Sequence, residues 1–169
     1  MVAMVTSMLI ALMLGILPAQ QGTLAFTKPP AWTDRASASS MRVAEFVVPR
    51  ASGDTEDAEL IVYYFGGGGG TVEANLQRWT SQVESTKEPV RTTATVNGLH
   101  LTSLDVSGTY VAEVRPGSSE HYNKPGFRMR ATVVETPKGP YFIKLTGPAR
   151  TIESAGAAFA QFLQSLTFN

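Results

Sequence analysis

From residue 41 onward, apolar positions follow two periods. Some alternate every second residue, as in strands; others recur every three to four, as in helices. The segment that organises the rest is Leu60 to Val83. Leu60-Ile61-Val62-Tyr63-Tyr64-Phe65 is apolar throughout and rich in β-branched and aromatic residues, which predicts a strand covered on both faces in the interior of a sheet. Gly66 to Gly70 follow, a run that marks a turn needing positive φ or close backbone approach. Thr71 then stands where a helix N-cap belongs, with Glu73 in the first turn. Val72, Leu76, Trp79 and Val83 fall on one helical stripe, with Asn75, Arg78 and Gln82 along its flank.

Either side of this segment the pattern is mostly strand. Met41 to Val48 is predicted as the first strand, ended by Pro49. Val90, Thr92, Ala94 and Val96 alternate with polar residues into Asn97-Gly98, a pair suited to a type I′ hairpin turn. The return strand places Leu99 and Leu101 in one phase and Leu104 and Val106 in the other, which predicts a bulge near Thr102-Ser103. Ser107-Gly108 interrupts it before Tyr110, Ala112 and Val114 resume. Phe127, Met129, Ala131 and Val133 form a further strand, and Pro137-Lys138-Gly139 a turn. Tyr141, Ile143 and Leu145 then alternate with Phe142, Lys144 and Thr146. Thr151 is expected to cap a last helix with the stripe Ile152, Ala155, Phe159, Phe162, Leu163 and Leu166. The sum is an α+β fold: an antiparallel sheet of six to seven strands flanked by helices.

Three sections follow along the chain. Val2 to Ala19 is almost wholly apolar, and the first charged residue is Lys28, so residues 1–25 are expected to be a secretory signal with small residues for cleavage at Leu17-Pro18-Ala19 or Thr23-Leu24-Ala25. No basic residue precedes the apolar run, and it approaches the roughly 20 residues that span a bilayer, so an uncleaved anchor over residues 2–19 is the alternative. Residues 26–40 are expected as a leader, and 41–169 as one domain. The expected product is exported, periplasmic or secreted.

Composition removes several functions. Fourteen basic and 14 acidic residues balance to zero with no basic cluster, so there is no electrostatic footprint for nucleic acid or anionic lipid. The absence of cysteine excludes disulfides, thiolate metal sites and a cysteine nucleophile. The glycine run lacks the Gly-Lys-Ser/Thr ending of a Walker A loop and the spacing of the dinucleotide fingerprint. Ser52 to Asp57 carries three acids without the alternating ligands of a calcium loop and reads as a solvated turn. The two histidines, His100 and His121, are too few and too far apart for a zinc site, and no nucleophile-elbow motif occurs. No metal, no cofactor and no catalytic residue is expected.

Met41-Arg42, Tyr64-Phe65-Gly66, Asn75-Leu76-Gln77-Arg78-Trp79, Val96-Asn97-Gly98-Leu99, Ser107-Gly108-Thr109-Tyr110, Lys144-Leu145-Thr146-Gly147-Pro148 and Ser165-Leu166-Thr167-Phe168 together resemble the PsbP-like fold. That fold occurs in an extrinsic photosystem II subunit, in a Ran-GTPase-binding nuclear protein and in bacterial proteins of unknown function. The resemblance covers nearly all of the chain after Ser40 and implies an α/β/α sandwich. Its residues serve turns and packing, so it implies no catalytic set, and neither photosystem nor Ran binding transfers.

The functional expectation is a non-enzymatic envelope domain that binds a protein partner or small ligand. Its expected surface comprises Gly68, Thr71, Asn75, Arg78 and Gln82 with Tyr110, His121 and Tyr122, because conformationally special loops on such scaffolds tend to carry function. The alternatives are a small hydrolase using His121 or His100, and a purely structural envelope component.

Overall fold

A computed structural model describes residues 22–169. The apolar segment expected to direct export, Val2 to Ala19, lies outside the described residues. Among those described, no helix is long and apolar enough to cross a membrane.

Six strands of seven residues or more carry the main sheet: β3 (Arg42–Val48), β4 (Ala58–Tyr64), β6 (Val90–Val96), β7 (Leu99–Tyr110), β8 (Lys124–Glu135) and β9 (Tyr141–Pro148). Two short strands extend it, β2 (Thr33–Asp34) on β3 and β5 (Val83–Glu84) on β7. The order is β2-β3-β4-β9-β8-β7, with β5 and β6 both on the outer edge of β7, and every pairing is antiparallel. A separate pair joins β1 (Leu24–Ala25) to β10 (Thr167–Phe168) near the two ends of the described chain.

Helices cover both faces. On one lie α2 (Ala149–Ser154) and α3 (Gly156–Gln164), where Phe159, Phe162 and Leu166 meet Leu60, Val62, Ile143 and Leu145. On the other lies α1 (Val72–Thr80), where Leu76 and Trp79 meet Val106, Met129, Val133 and Phe142. Burying a side chain the size of Phe142 or Phe162 contributes about 2 kcal/mol each, so the sheet is fixed from both sides. Thr71 caps α1 as expected, its Oγ1 accepting from the Ala74 N–H.

Four expectations change. There is no bulge at Thr102-Ser103; the register with both neighbours runs through it unbroken. Leu99 and Leu101 pack on the α3 side, Leu104 and Val106 on the α1 side. The change of phase therefore records which face is covered, and the irregularity in β7 falls at Gly108–Tyr110 instead. Thr151 is not a cap. It lies inside α2, where its hydroxyl donates to Asp54 and accepts from the Ala51 N–H. Helix α1 ends at Thr80, so Val83 completes the apolar patch from β5 and not from the helix. Residues 26–40 are not a free leader: Trp32 is 3% exposed, packed between Phe46 and Phe162, and Thr33–Asp34 pairs with β3.

The acids of the 52–57 turn each hold a neighbour. Asp54 accepts from Thr151, Asp57 from the Arg50 N–H and Glu56 from Lys124.

Candidate functional site

Helix α1 is nine residues long, about 13 Å, and so covers only part of its face of the sheet. Beyond it the inner strands β4 and β9 stay open. Glu59, Ile61 and Tyr63 from β4 and Phe142, Lys144 and Thr146 from β9 form a floor. The walls are the end of α1, with Arg78 and Trp79, the turn after it, with Gln82, and the segment Val111 to Asn123. The open cleft has a volume of about 1000 Å³, at the upper end of what small-molecule sites use.

The 111–123 wall is held by its backbone. The Val111 N–H donates to the Gln82 carbonyl at 2.9 Å, Val114 to Glu120 and Tyr122 to Ala112. This sets Tyr122 against Tyr110, rings 5.6 Å apart and 26° from parallel, while Phe127 stacks on Tyr110 at 6.1 Å. Tyr63 and Phe65 make a second stacked pair at 6.0 Å.

Lys144 lies at the centre of the floor. Its Nζ donates to Gln82 Oε1 at 2.6 Å and to the Tyr110 hydroxyl at 3.0 Å, both neutral acceptors, and lies 5.0 Å from the Tyr110 ring centre. Desolvation by the surrounding walls, aided by the positive charges of Arg78 and Arg42, lowers its pKa to about 8; Glu59 pulls the other way. The Tyr110 phenol is pushed above its ordinary value, first by burial and then by Glu59.

At the β3 side of the cleft, four charges form a closed set. Arg42 donates to Glu45 at 2.9 Å, and Arg35 reaches Glu45 at 3.3 Å and Glu59 at 3.2 Å. Two cations meet two carboxylates, so this set is neutral within itself. Glu45 is only 4% exposed and would be costly there without both partners. The Arg42 guanidinium also lies over the Tyr63 ring at 5.7 Å. Thr146 Oγ1, buried on the same floor, has no hydrogen-bond partner among the described residues.

The eight residues expected at a site divide. Arg78, Gln82, Tyr110, His121 and Tyr122 line the cleft together. Gly68, Thr71 and Asn75 do not. Asn75 is buried, and its Nδ2 donates to the carbonyls of Gly69 at 2.8 Å and Thr71 at 2.9 Å, while its Oδ1 accepts from Arg78. It is a bracket between the glycine turn and the helix. The glycine run serves close approach: a Cβ on Gly139 would lie 2.4 Å from Gly67 Cα, and Gly66, Gly67, Gly69 and Gly70 all have positive φ. His121 borders the cleft with Nδ1 3.2 Å from the Ser119 carbonyl, and His100 is exposed on β7 near Glu135. The alternation of Phe142, Lys144 and Thr146 gave no reason to single out Lys144, Thr146, Arg42 or Glu59. The one local signal is a lysine set two residues from Phe142 on a strand whose other face is wholly apolar.

No family model and no curated protein matches the sequence. The solved structures that share the architecture include two bacterial proteins. One is a protein of unknown function from Pseudomonas aeruginosa described as a putative regulator, with 19% identity, covering 85% of this chain and 96% of its own, and a TM-score of 0.52. The other is the cyanobacterial PsbP (CyanoP) from Synechocystis sp. PCC 6803, with 14% identity, 86% of each chain and a TM-score of 0.50. At such identities the likeness speaks to architecture alone, and on that ground the chain has the PsbP-like α+β fold.

Proposed function

We propose that this protein is an exported, non-enzymatic binding domain whose ligand is a small molecule held in the cleft beside α1. The observation that carries this is the concave cavity of about 1000 Å³, lined by a lysine held by neutral partners and by two stacked aromatic sets. A concave site with converging polar groups is a usual form of a small-ligand pocket, and this cleft presents somewhat more polar than apolar surface. Its floor lies on two inner strands and is therefore rigid before any ligand arrives.

Export is supported by the apolar segment ahead of Ala19. Cleavage after Ala25 would remove β1 and its pairing with Thr167–Phe168, so the mature chain is expected to begin at or before Thr23. N-terminal sequencing of the secreted or periplasmic product checks both points: a start at Phe26 contradicts the placement, and retention of the protein in the cytoplasm contradicts export.

The test of the binding reading is a fragment screen by ¹⁵N chemical-shift mapping. Hits should cluster on Tyr63, Arg78, Gln82, Tyr110, Tyr122 and Lys144. Hits scattered over the surface, or gathered on another face, would remove the cleft as the site.

A further inference from the structure

We propose that the ligand of the cleft is a small monocarboxylate with a planar, apolar body, its carboxylate directed to Lys144 and Arg78 and its body laid against Tyr63 and Tyr110. This rests on the cleft being the ligand site and adds the chemical class.

Charge accounting leads there. Arg35, Arg42, Glu45 and Glu59 satisfy one another. Two cations of the lining then remain, Lys144 and Arg78, and no carboxylate oxygen of the described residues lies within ion-pairing distance of either. Arg78 gives one hydrogen bond to Asn75 Oδ1 and keeps its other donors. Lys144 uses two of its three donors on Gln82 and Tyr110 and has one left. A partly desolvated cation held only by neutral groups is costly, and an incoming anion offsets that cost.

The same inventory selects a monoanion. With Glu59 held by Arg35, Glu84 and Glu113 are the carboxylates that also border the cleft, so a dianion such as phosphate meets two carboxylates against two uncommitted cations and brings one more negative charge than a monoanion does. A guanidinium fork matches the two oxygens of one carboxylate, and an ammonium adds a point charge of the same sign. The aromatic sets select a planar body, because rings stack on flat ligands in offset arrangements.

The experiment titrates the full domain with benzoate, with its neutral isostere benzamide, with benzylamine and with inorganic phosphate, followed by ¹⁵N shifts. Benzoate should bind one to one in the cleft, at least about tenfold tighter than benzamide, and Lys144→Gln should lower benzoate affinity about tenfold and benzamide affinity by much less. An unchanged spectrum outside the cleft shows that the variant is folded. Benzamide binding the cleft as well as benzoate overturns the carboxylate class and leaves the small-ligand reading intact. Phosphate binding more tightly than benzoate overturns the monoanion. No probe entering the cleft overturns this proposal, while the wider fragment screen decides the cleft itself.

Discussion

The ammonium of Lys144 on β9 donates across 2.6 Å to the side-chain carbonyl of Gln82, two residues beyond the end of α1. This bond ties the floor of the cleft to its wall and leaves a charge facing a neutral acceptor. Most lysines on an antiparallel strand extend into water. Here the neighbours in register are Ile61 and Ala131, and the covering elements keep the amine from full solvation.

Replacing this lysine by an apolar side chain of like length should stabilise the fold. The native state holds the Lys144 pKa at about 8 against 10.5, so folding works against the charged form. Below pH 8 that cost is fully present; between 8 and 10.5 the unfolded chain binds more protons, so wild-type stability rises with pH. Lys144→Met is expected to gain about 2 kcal/mol at pH 7 by urea denaturation, the gain fading above pH 8. A loss of stability at pH 7 would mean that the bonds to Gln82 and Tyr110 outweigh desolvation.

Asp105 shows the opposite linkage. Burial alone would raise its pKa, but the two hydrogen bonds from Arg128 at 2.7 Å and the charges of Arg128 and Arg130 outweigh it and hold the carboxyl below its ordinary value. The stability it contributes is present above pH 4 and lost as pH falls through the lowered value. Asp105→Asn should cost about 1 kcal/mol at pH 7, and the gap to wild type should close in acid.

Asn75→Ala removes both donors that hold the Gly69 and Thr71 carbonyls. The expected loss is about 2 kcal/mol, with amide exchange rising first in the 66–71 turn. An effect on ligand affinity with no change in stability would return Asn75 to the binding surface.

A Cβ on Gly108 would lie 2.0 Å from the Glu84 carbonyl oxygen, where β5 crosses the edge of β7. Gly108→Ala must push β5 away and should cost about 2 kcal/mol, loosening the Gln82 wall with it. Trp32→Ala, in the stretch 26–40, should cost about 4 kcal/mol by leaving a cavity against Phe46 and Phe162. A negligible change in melting temperature at Trp32 would restore the idea of a loose leader.

Local signals gave the elements, and non-local pairing hid the rest. The strand at Leu60, the cap at Thr71 and the turn at Asn97-Gly98 were legible because each depends on residues adjacent in sequence. The floor was not. Lys144 reaches the centre of the sheet because β9 inserts between β4 and β8, a choice no short pattern records. Trp32 lay in a stretch with the proline and serine content of a linker, yet one large ring was enough to anchor it. Leu104 and Val106 were in phase with α1 and not with the first half of their own strand, which mimicked a bulge. Arg78, Gln82, Tyr110, His121 and Tyr122 were found from three separate segments, because helix flank and long loop both converge on the uncovered part of the sheet.

The most direct measurement follows Lys144 itself, by ¹³Cε and ¹⁵Nζ shifts against pH, without and with benzoate. Glu59, Arg42, Arg78 and the neutral Tyr110 and Tyr63 face it across the cleft. The amine should titrate near pH 8 in the free protein and move upward when the carboxylate binds, by the amount its affinity falls above that pH. A midpoint at the ordinary lysine value, unmoved by benzoate, would contradict the account.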